Sequence, residues 1–382
     1  MASPYPDGER EKVASKLPSA LRQQLKVRAA ELSIDIQDAV TTAIHEWQAK
    51  VGPLPAVDTA GADSFSTWLP TGLYDQFKAT CSTRDVSYTQ GLAQSIRGWL
   101  DSQVGETPPD TGIPERKIVG NQKGGVGKTS VSAGIAEAAA EAGKTVLLVD
   151  FDPQGHLSDQ LGVEQIGPGD DSLVTHMNAE GRGDIRDLLV PIEGERFGKR
   201  LQILPACFDG FLLDAKLATN RVIRHKETAL ERALEPIESD FDVVIIDCPP
   251  SLGMAMDAAI YYARRRENER HGVSGIIIPV LAEDSSATAY TMLSQQIESI
   301  VDDCNIDVEY LGLVVNLYDS RRGYVATSSL KAWKDLQDPP VLAVIGDLKE
   351  QREAVRKVKP LLDYAPLSEQ AEAMRQIWSA IS

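Results

Sequence analysis

Two patterns of apolar and polar positions follow one another along the chain. Over residues 12–17 and again over 64–69, apolar and polar residues alternate. This turns Val13, Ser15 and Leu17, and then Phe65, Thr67 and Leu69, onto one face of a short strand. Each strand precedes two stretches at helical spacing, such as Leu21, Leu25 and Leu32, then Ile36, Val40, Ile44 and Trp47. The copies match without a gap at an offset of about 52 residues: Leu17-Pro18-Ser19-Ala20-Leu21 answers Leu69-Pro70-Thr71-Gly72-Leu73, and Trp47 answers Trp99. Ser19 and Thr71 read as caps of the first helices, and Asp35 and Ser87 sit where the second ones begin. A unit of roughly 40 residues with one strand cannot bury its own apolar face, so each copy needs a partner.

From residue 117 the pattern changes to apolar runs separated by helical stretches, the signature of a parallel sheet covered by helices. Strands are predicted at residues 117–121, 145–150, 201–204, 242–247, 275–280, 310–317 and 341–344. The expected organisation is a first repeat over 1–50, a second over 63–103, a proline- and glycine-punctuated linker over 104–115, and an α/β domain over 116–382.

The α/β domain opens on Gly120-Asn121-Gln122-Lys123-Gly124-Gly125-Val126-Gly127-Lys128-Thr129-Ser130, between an apolar strand and an alanine-rich helix. Strand, glycine loop and helix start form a phosphate cradle, in which backbone N–H groups and the helix N-terminus converge on phosphate oxygens. Gln122 stands where the pattern G-x-x-x-x-G-K-[ST] has its first glycine, and a second lysine, Lys123, precedes the glycines. Downstream strands end in Asp150-Phe151-Asp152-Pro153-Gln154-Gly155, in Asp247-Cys248-Pro249-Pro250 and in Asn316-Leu317-Tyr318-Asp319. Ligands of such sheets bind at the carboxyl ends of the strands.

The glycine loop, Asp150-Phe151-Asp152-Pro153-Gln154-Gly155 and Asp247-Cys248-Pro249-Pro250, in this order, closely resemble the deviant-Walker ATPases, and most closely the ParA group that partitions plasmids and chromosomes. The resemblance covers about residues 116–382 and implies a P-loop sheet of the MinD-like type, with ATP and Mg²⁺ as cofactors. It further implies that Gly124, Gly125, Val126, Gly127, Lys128, Thr129 and Ser130 bind nucleotide. Lys128 would contact the β/γ-phosphates, Thr129 and Asp247 would hold magnesium, and Asp152 would position or activate the attacking water. Lys123 would be the signature lysine that reaches the nucleotide of a second subunit, so that ATP joins two chains in a sandwich. Asn316 and Asp319 fall where the family contacts adenine. The N-terminal repeats resemble the ribbon-helix-helix fold, here with both halves in one chain. That likeness implies an antiparallel ribbon for the DNA major groove, with Lys12, Ala14 and Lys16, then Ser64, Ser66 and Trp68, facing outward, and phosphates held near Ser33 and Ser87.

Charge limits these expectations. The formal net charge of −17 disfavours indiscriminate polyanion binding, so nucleic acid must meet local basic patches. Residues 1–105 carry 10 Lys and Arg against 12 Asp and Glu, which leaves open a plain dimerisation module with no DNA role. In the acidic C-terminal domain, Lys349, Arg352, Arg356, Lys357 and Lys359 cluster, with Lys349, Arg352 and Arg356 at spacings that share a helix face. Arg321 and Arg322 would extend this nonspecific DNA contact, and the alternative is a solvated face balanced by Glu350 and Glu353. No run approaches the ~20 apolar residues that span a bilayer. The four cysteines (Cys81, Cys207, Cys248, Cys304) lie far apart, as suits a reducing cytosol, and do not match an iron–sulfur relative. The terminal stretch 372–382 reads as a packed helix rather than a membrane-lying one.

The expectation is therefore a cytoplasmic, nucleoid-associated partition ATPase. It would dimerise on ATP, bind nonspecific DNA and be stimulated by a centromere-binding, ParB-like partner. Its N-terminal module would bind operator or centromere DNA. The alternative is a nucleotide-switched regulator or polymer-forming scaffold without turnover. Arg10, placed in a loose segment before the first strand, is a further candidate for stimulating hydrolysis in cis.

Overall fold

The computed structural model describes residues 10–32, 34–50, 52, 54–102, 113–267, 269–336 and 338–382. The chain divides into two compact units between residues 110 and 111. The expected linker over 104–115 and the phosphate position Ser33 fall largely or wholly outside the described residues.

In the first unit, β1 (Arg10–Leu17), α1 (Ser19–Glu31) and α2 (Ile36–Ala49) are followed by β2 (Asp63–Pro70), α3 (Leu73–Thr83) and α4 (Tyr88–Ser102). The strands pair antiparallel within the chain, Lys12 opposite Trp68, Ala14 opposite Ser66 and Lys16 opposite Ser64. Alternation puts Val13, Leu17, Phe65 and Leu69 into one core with Leu25, Val40, Ile44, Trp47, Phe77, Ile96 and Trp99, to which both repeats contribute. The Trp47 indole N–H donates to Gln94 Oε1 at 3.3 Å, linking the two second helices. Two local expectations need correction. The helix after β2 is entered through Gly72 at φ 86, not capped by Thr71, because the chain turns there through the left-handed region that glycine favours. Arg10 lies on β1 and pairs with Asp38 at 2.5 Å, so it is not in a loose tail.

The second unit is an eight-stranded sheet. Its strands are β3 (Glu115–Val119), β4 (Val146–Asp150), β5 (Val190–Gly194), β6 (Gly198–Leu204), β7 (Val243–Asp247), β8 (Gly275–Leu281), β9 (Tyr310–Tyr318) and β10 (Val341–Gly346). The order is β10-β9-β8-β3-β7-β4-β6-β5, parallel except for the antiparallel β5. The central strands are apolar and buried on both faces, as a helix-covered parallel sheet requires. Unlike them, β5 escapes sequence reading. Pro191 and Glu193 are exposed at the sheet edge and only Ile192 is buried, so it has no apolar run. Insertion of β7 between β3 and β4 brings three strand ends side by side, and this builds the site.

Candidate functional site

The chain leaves β3 through Gly120, whose N–H donates to the Ile277 carbonyl on neighbouring β8. Buried Asn121 then fastens the loop base. Its Nδ2 donates to the Pro279 carbonyl at 2.7 Å and its Oδ1 accepts the Lys123 N–H at 3.0 Å. Gly125 (φ 74) and Gly127 (φ 86) take the left-handed turn, and helix α5 (Lys128–Glu141) starts immediately. A side chain at Gly127 would put its Cβ 2.0 Å from Asn316 Nδ2, so only glycine lets the loop lie against β9. That Asn316 nitrogen donates to the Val126 carbonyl at 3.0 Å. Asn316, expected near a base, thus serves the loop backbone. Asp319 is occupied locally: the Arg321 guanidinium holds its carboxyl below the usual carboxylate range.

The two lysines diverge. Lys128 is buried in the loop with Nζ 3.4 Å from the Lys123 carbonyl. Burial holds its ammonium below the usual lysine value, against the attraction of Asp247 and Asp152. Lys123 instead reaches out to the start of the helix Asp284–Cys304, where it pairs with Glu283 and donates to Ser285 Oγ at 2.5 Å.

Three aspartates surround the helix start. Asp247, at the end of β7, accepts from Ser132 Oγ at 3.0 Å and from the Thr129 hydroxyl. Asp150 is its ladder neighbour on β4 and accepts the Ser158 N–H at 2.8 Å and Oγ at 2.7 Å through Oδ2. Burial raises both carboxyls, Asp150 to about 6 and Asp247 to about 7, the latter also through repulsion by Asp150. Asp150 Oδ1 is buried with no hydrogen-bond partner. Half-buried Asp152 accepts the Gln154 N–H at 3.0 Å, which fixes the turn beyond β4. Burial pushes the Cys248 thiol well above its ordinary value, so it is no thiolate ligand.

Residues 116–310 match the AAA domain family. The chain is 30% identical over 252 residues to the sporulation initiation inhibitor protein Soj of Bacillus subtilis, covering 66% of this chain and 92% of that protein. It is 31% identical over 205 residues to the chromosome partitioning protein ParA of Myxococcus xanthus, covering 53% of this chain and 65% of that protein. The chain belongs to the ParA/Soj family of P-loop ATPases. Among solved structures it is similar to cobyrinic acid a,c-diamide synthase from Mycobacterium smegmatis with bound ADP and magnesium. That match has a TM-score of 0.53 at 31% identity and covers 69% of this chain and 92% of that one.

In this ParA/Soj-type ATPase, Lys128, Thr129, Asp152 and Asp247, singled out on the sequence, gather at the ends of β3, β4 and β7. The motifs alone give no role to Asp150, Ser132, Ser158 and Glu283. An apolar run ending in Asp150 is visible in the sequence, but the pairing of β4 with β7 that makes it matter is not. The basic cluster is rearranged. Lys349 is the N-cap of the helix Glu350–Lys357 and sits 3.5 Å from Glu353, while Arg352 pairs with Asp347 at 2.9 Å. Arg356, Lys357 and Lys359 are exposed at the other end of that helix. The terminal helix Glu369–Ala380 is packed through Met374, Ile377 and Trp378, and among the described residues no helix is long and apolar enough to cross a membrane.

Proposed function

We propose that this chain is a DNA-partition ATPase whose working unit is an ATP-bound dimer. The observation that carries the reading is the divergence of the two loop lysines. Lys128 lies inside its own phosphate cradle, and Lys123 is held outside it by Glu283. A second cation on the phosphoryl group must then come from another copy. Exposed Phe208, Phe211 and Leu212 support self-association, because this segment lies against Pro153, directly beyond Asp152.

ATP with Mg²⁺ suits the residues present. Gly124 and Gly125 border open space, the N-terminus of α5 faces that space, and Asp150 Oδ1 lacks a partner. Magnesium shared between phosphates and one or two carboxylates needs no all-protein cage, and among the described residues no group of three or more His, Cys, Asp or Glu forms one. Thr129 and Asp247 would hold the ion, which supplies charge neutralisation on the phosphate oxygens. Lys128 and the loop N–H groups bind and orient the phosphates, Asp152 holds the attacking water by accepting its proton, and Lys123 of a second copy stabilises the developing charge. Arg356, Lys357 and Lys359, with Arg322, contact DNA phosphates without reading sequence, while Arg321, like Arg352, is held by a neighbouring aspartate. A centromere-binding protein stimulates turnover, and the N-terminal ribbon binds duplex DNA at a specific site.

Mixing two inactive variants tests the composite site. In a Lys123→Ala/Asp152→Ala heterodimer, the Lys123→Ala subunit keeps Asp152 and receives Lys123 from its partner. An equimolar mixture should regain about a quarter of native ATPase activity, since half the dimers are mixed and each has one complete site. No recovery at any ratio would overturn the dimeric site.

A further inference from the structure

The ribbon of the first unit is symmetric in backbone and asymmetric in chemistry. Residue 14 is equivalent to residue 66 in the repeat, and Ala14 is also the ladder partner of Ser66. The pseudo-twofold axis therefore passes through this pair. By the same arithmetic, Lys12 is equivalent to Ser64 but faces Trp68, and Lys16 is equivalent to Trp68 but faces Ser64. The basic residues belong to one strand, yet each side of the axis holds one lysine. One side carries Lys12 with Trp68, and the other carries Lys16 with Ser64.

These residues form the outward face. Lys12, Ala14, Lys16, Ser64 and Trp68 are exposed, and Ser66 is half-buried. Trp68 is 49% exposed, on the face opposite its buried strand neighbours Thr67 and Leu69. Nearby carboxylates are engaged elsewhere: Glu11 accepts the Gly72 N–H at 3.1 Å, Asp38 pairs with Arg10, and Asp63 accepts from Ser19 Oγ at 3.4 Å. Two strands fit side by side in the DNA major groove, and the four-residue span from Lys12 to Lys16 covers about 14 Å.

We infer that the ribbon recognises a non-palindromic duplex site, with Trp68 as the residue that distinguishes its two halves. This rests on the reading above that the ribbon binds DNA. A twofold ribbon presents identical groups to both half-sites and so selects a palindrome. Here one half-site meets an ammonium and an indole, the other an ammonium and a hydroxyl. Lysine donates to guanine O6 and N7, a large apolar surface favours the thymine methyl, and serine accepts either base. The site should carry guanine on both sides of its centre, and thymine preference on the Lys12–Trp68 side alone.

Selection from a random duplex library with the nucleotide-free full chain tests this, beside a variant carrying Ser64→Lys, Ser66→Ala and Trp68→Lys. These solvent-facing changes make the two strands alike at all three outward positions. The native chain should enrich an asymmetric motif and the variant a palindromic one. Trp68→Ser should weaken binding to the native motif about tenfold and erase preference on one side of the centre only. A palindromic motif from the native chain, or an unaltered asymmetric motif from the symmetrised variant, would overturn the inference while leaving DNA binding intact. No enriched motif from the native chain would overturn DNA recognition by the ribbon itself, and would leave this face for a protein partner.

Discussion

Glu137 lies on α5, the helix that begins at the phosphate loop, and it is fully buried. Its Oε2 accepts the Leu362 N–H at 2.8 Å, and Oε1 has no partner. Burial pushes this carboxyl up to about 8, although the Leu361 and Leu362 N–H groups oppose the shift. In the unfolded chain it titrates near 4.5. The folded state therefore holds a proton that the unfolded state has released, and stability falls as pH rises from 4.5 to 8. The loss is about 1 kcal/mol at pH 5 and about 3 kcal/mol at pH 7. Glu137→Gln keeps the acceptor for Leu362 and removes the ionisation. An amide and a protonated carboxyl make similar demands on the unpartnered side. The variant should match the native chain near pH 4.5 and exceed it by about 3 kcal/mol at pH 7. Denaturant titrations from pH 5 to 8, followed by hydrogen exchange on peptides from α5 and Glu369–Ala380, separate this unit from the N-terminal one. A variant no more stable than the native chain at pH 7, or a difference that does not grow with pH, would refute the assignment.

Three further outcomes follow from the site and its supports. Asp247→Asn should abolish ATP hydrolysis yet stabilise the nucleotide-free protein above pH 7. The raised carboxyl costs stability as pH rises from its unfolded value of 3.8 to about 7, and paired activity and melting measurements check both effects. Gly162→Ala should destabilise by about 1–3 kcal/mol, because the residue sits at φ 72 and a Cβ would lie 2.6 Å from Val358 Cγ1; thermal melts of the variant measure this. Replacing Arg356, Lys357 and Lys359 together by Ala should weaken ATP-dependent binding to nonspecific DNA and reduce the salt slope by about 2–3, read from binding isotherms at several ionic strengths.

Much of this architecture could be read from local pattern, because local pattern fixes strands, helices and the phosphate loop. The repeat around Trp47 and Trp99, the alternating face of β1, and apolar strands ending in Asp150 and Asp247 all depend on residues close in sequence. What escaped depends on partners far along the chain. Asp150 matters because β4 lies beside β7, and Asn316 serves the loop because β9 brings it under Val126. Lys349 and Arg352 looked available at helical spacing, but Asp347, outside that helix, already holds Arg352. Charge spacing defines a helix face without giving the carboxylates that arrive from the adjoining turn.

The same long-range contacts suggest how the basic segment could respond to the site. Along one side of α5, Gly134 lies close against Met374, Glu137 holds Leu362, and Glu141 pairs with Arg375 at 2.5 Å. The phosphate loop is thus joined by a single helix to the stretch that follows Lys359. The Asp152 turn leads into the helix His156–Leu161, whose terminal Gly162 meets Val358, held at φ 52. Arg356, Lys357 and Lys359 therefore sit between two supports, one starting at the phosphate loop and the other at the Asp152 turn. A shift in either loop would be carried by a packed helix rather than absorbed, since close-packed interiors repack between discrete arrangements instead of deforming smoothly. If that coupling operates, Gly162→Ala should change the ATP dependence of DNA binding while Lys128, Asp152 and Asp247 remain intact. An unaltered ratio of affinities with and without ATP would show that the basic segment acts independently of the loops.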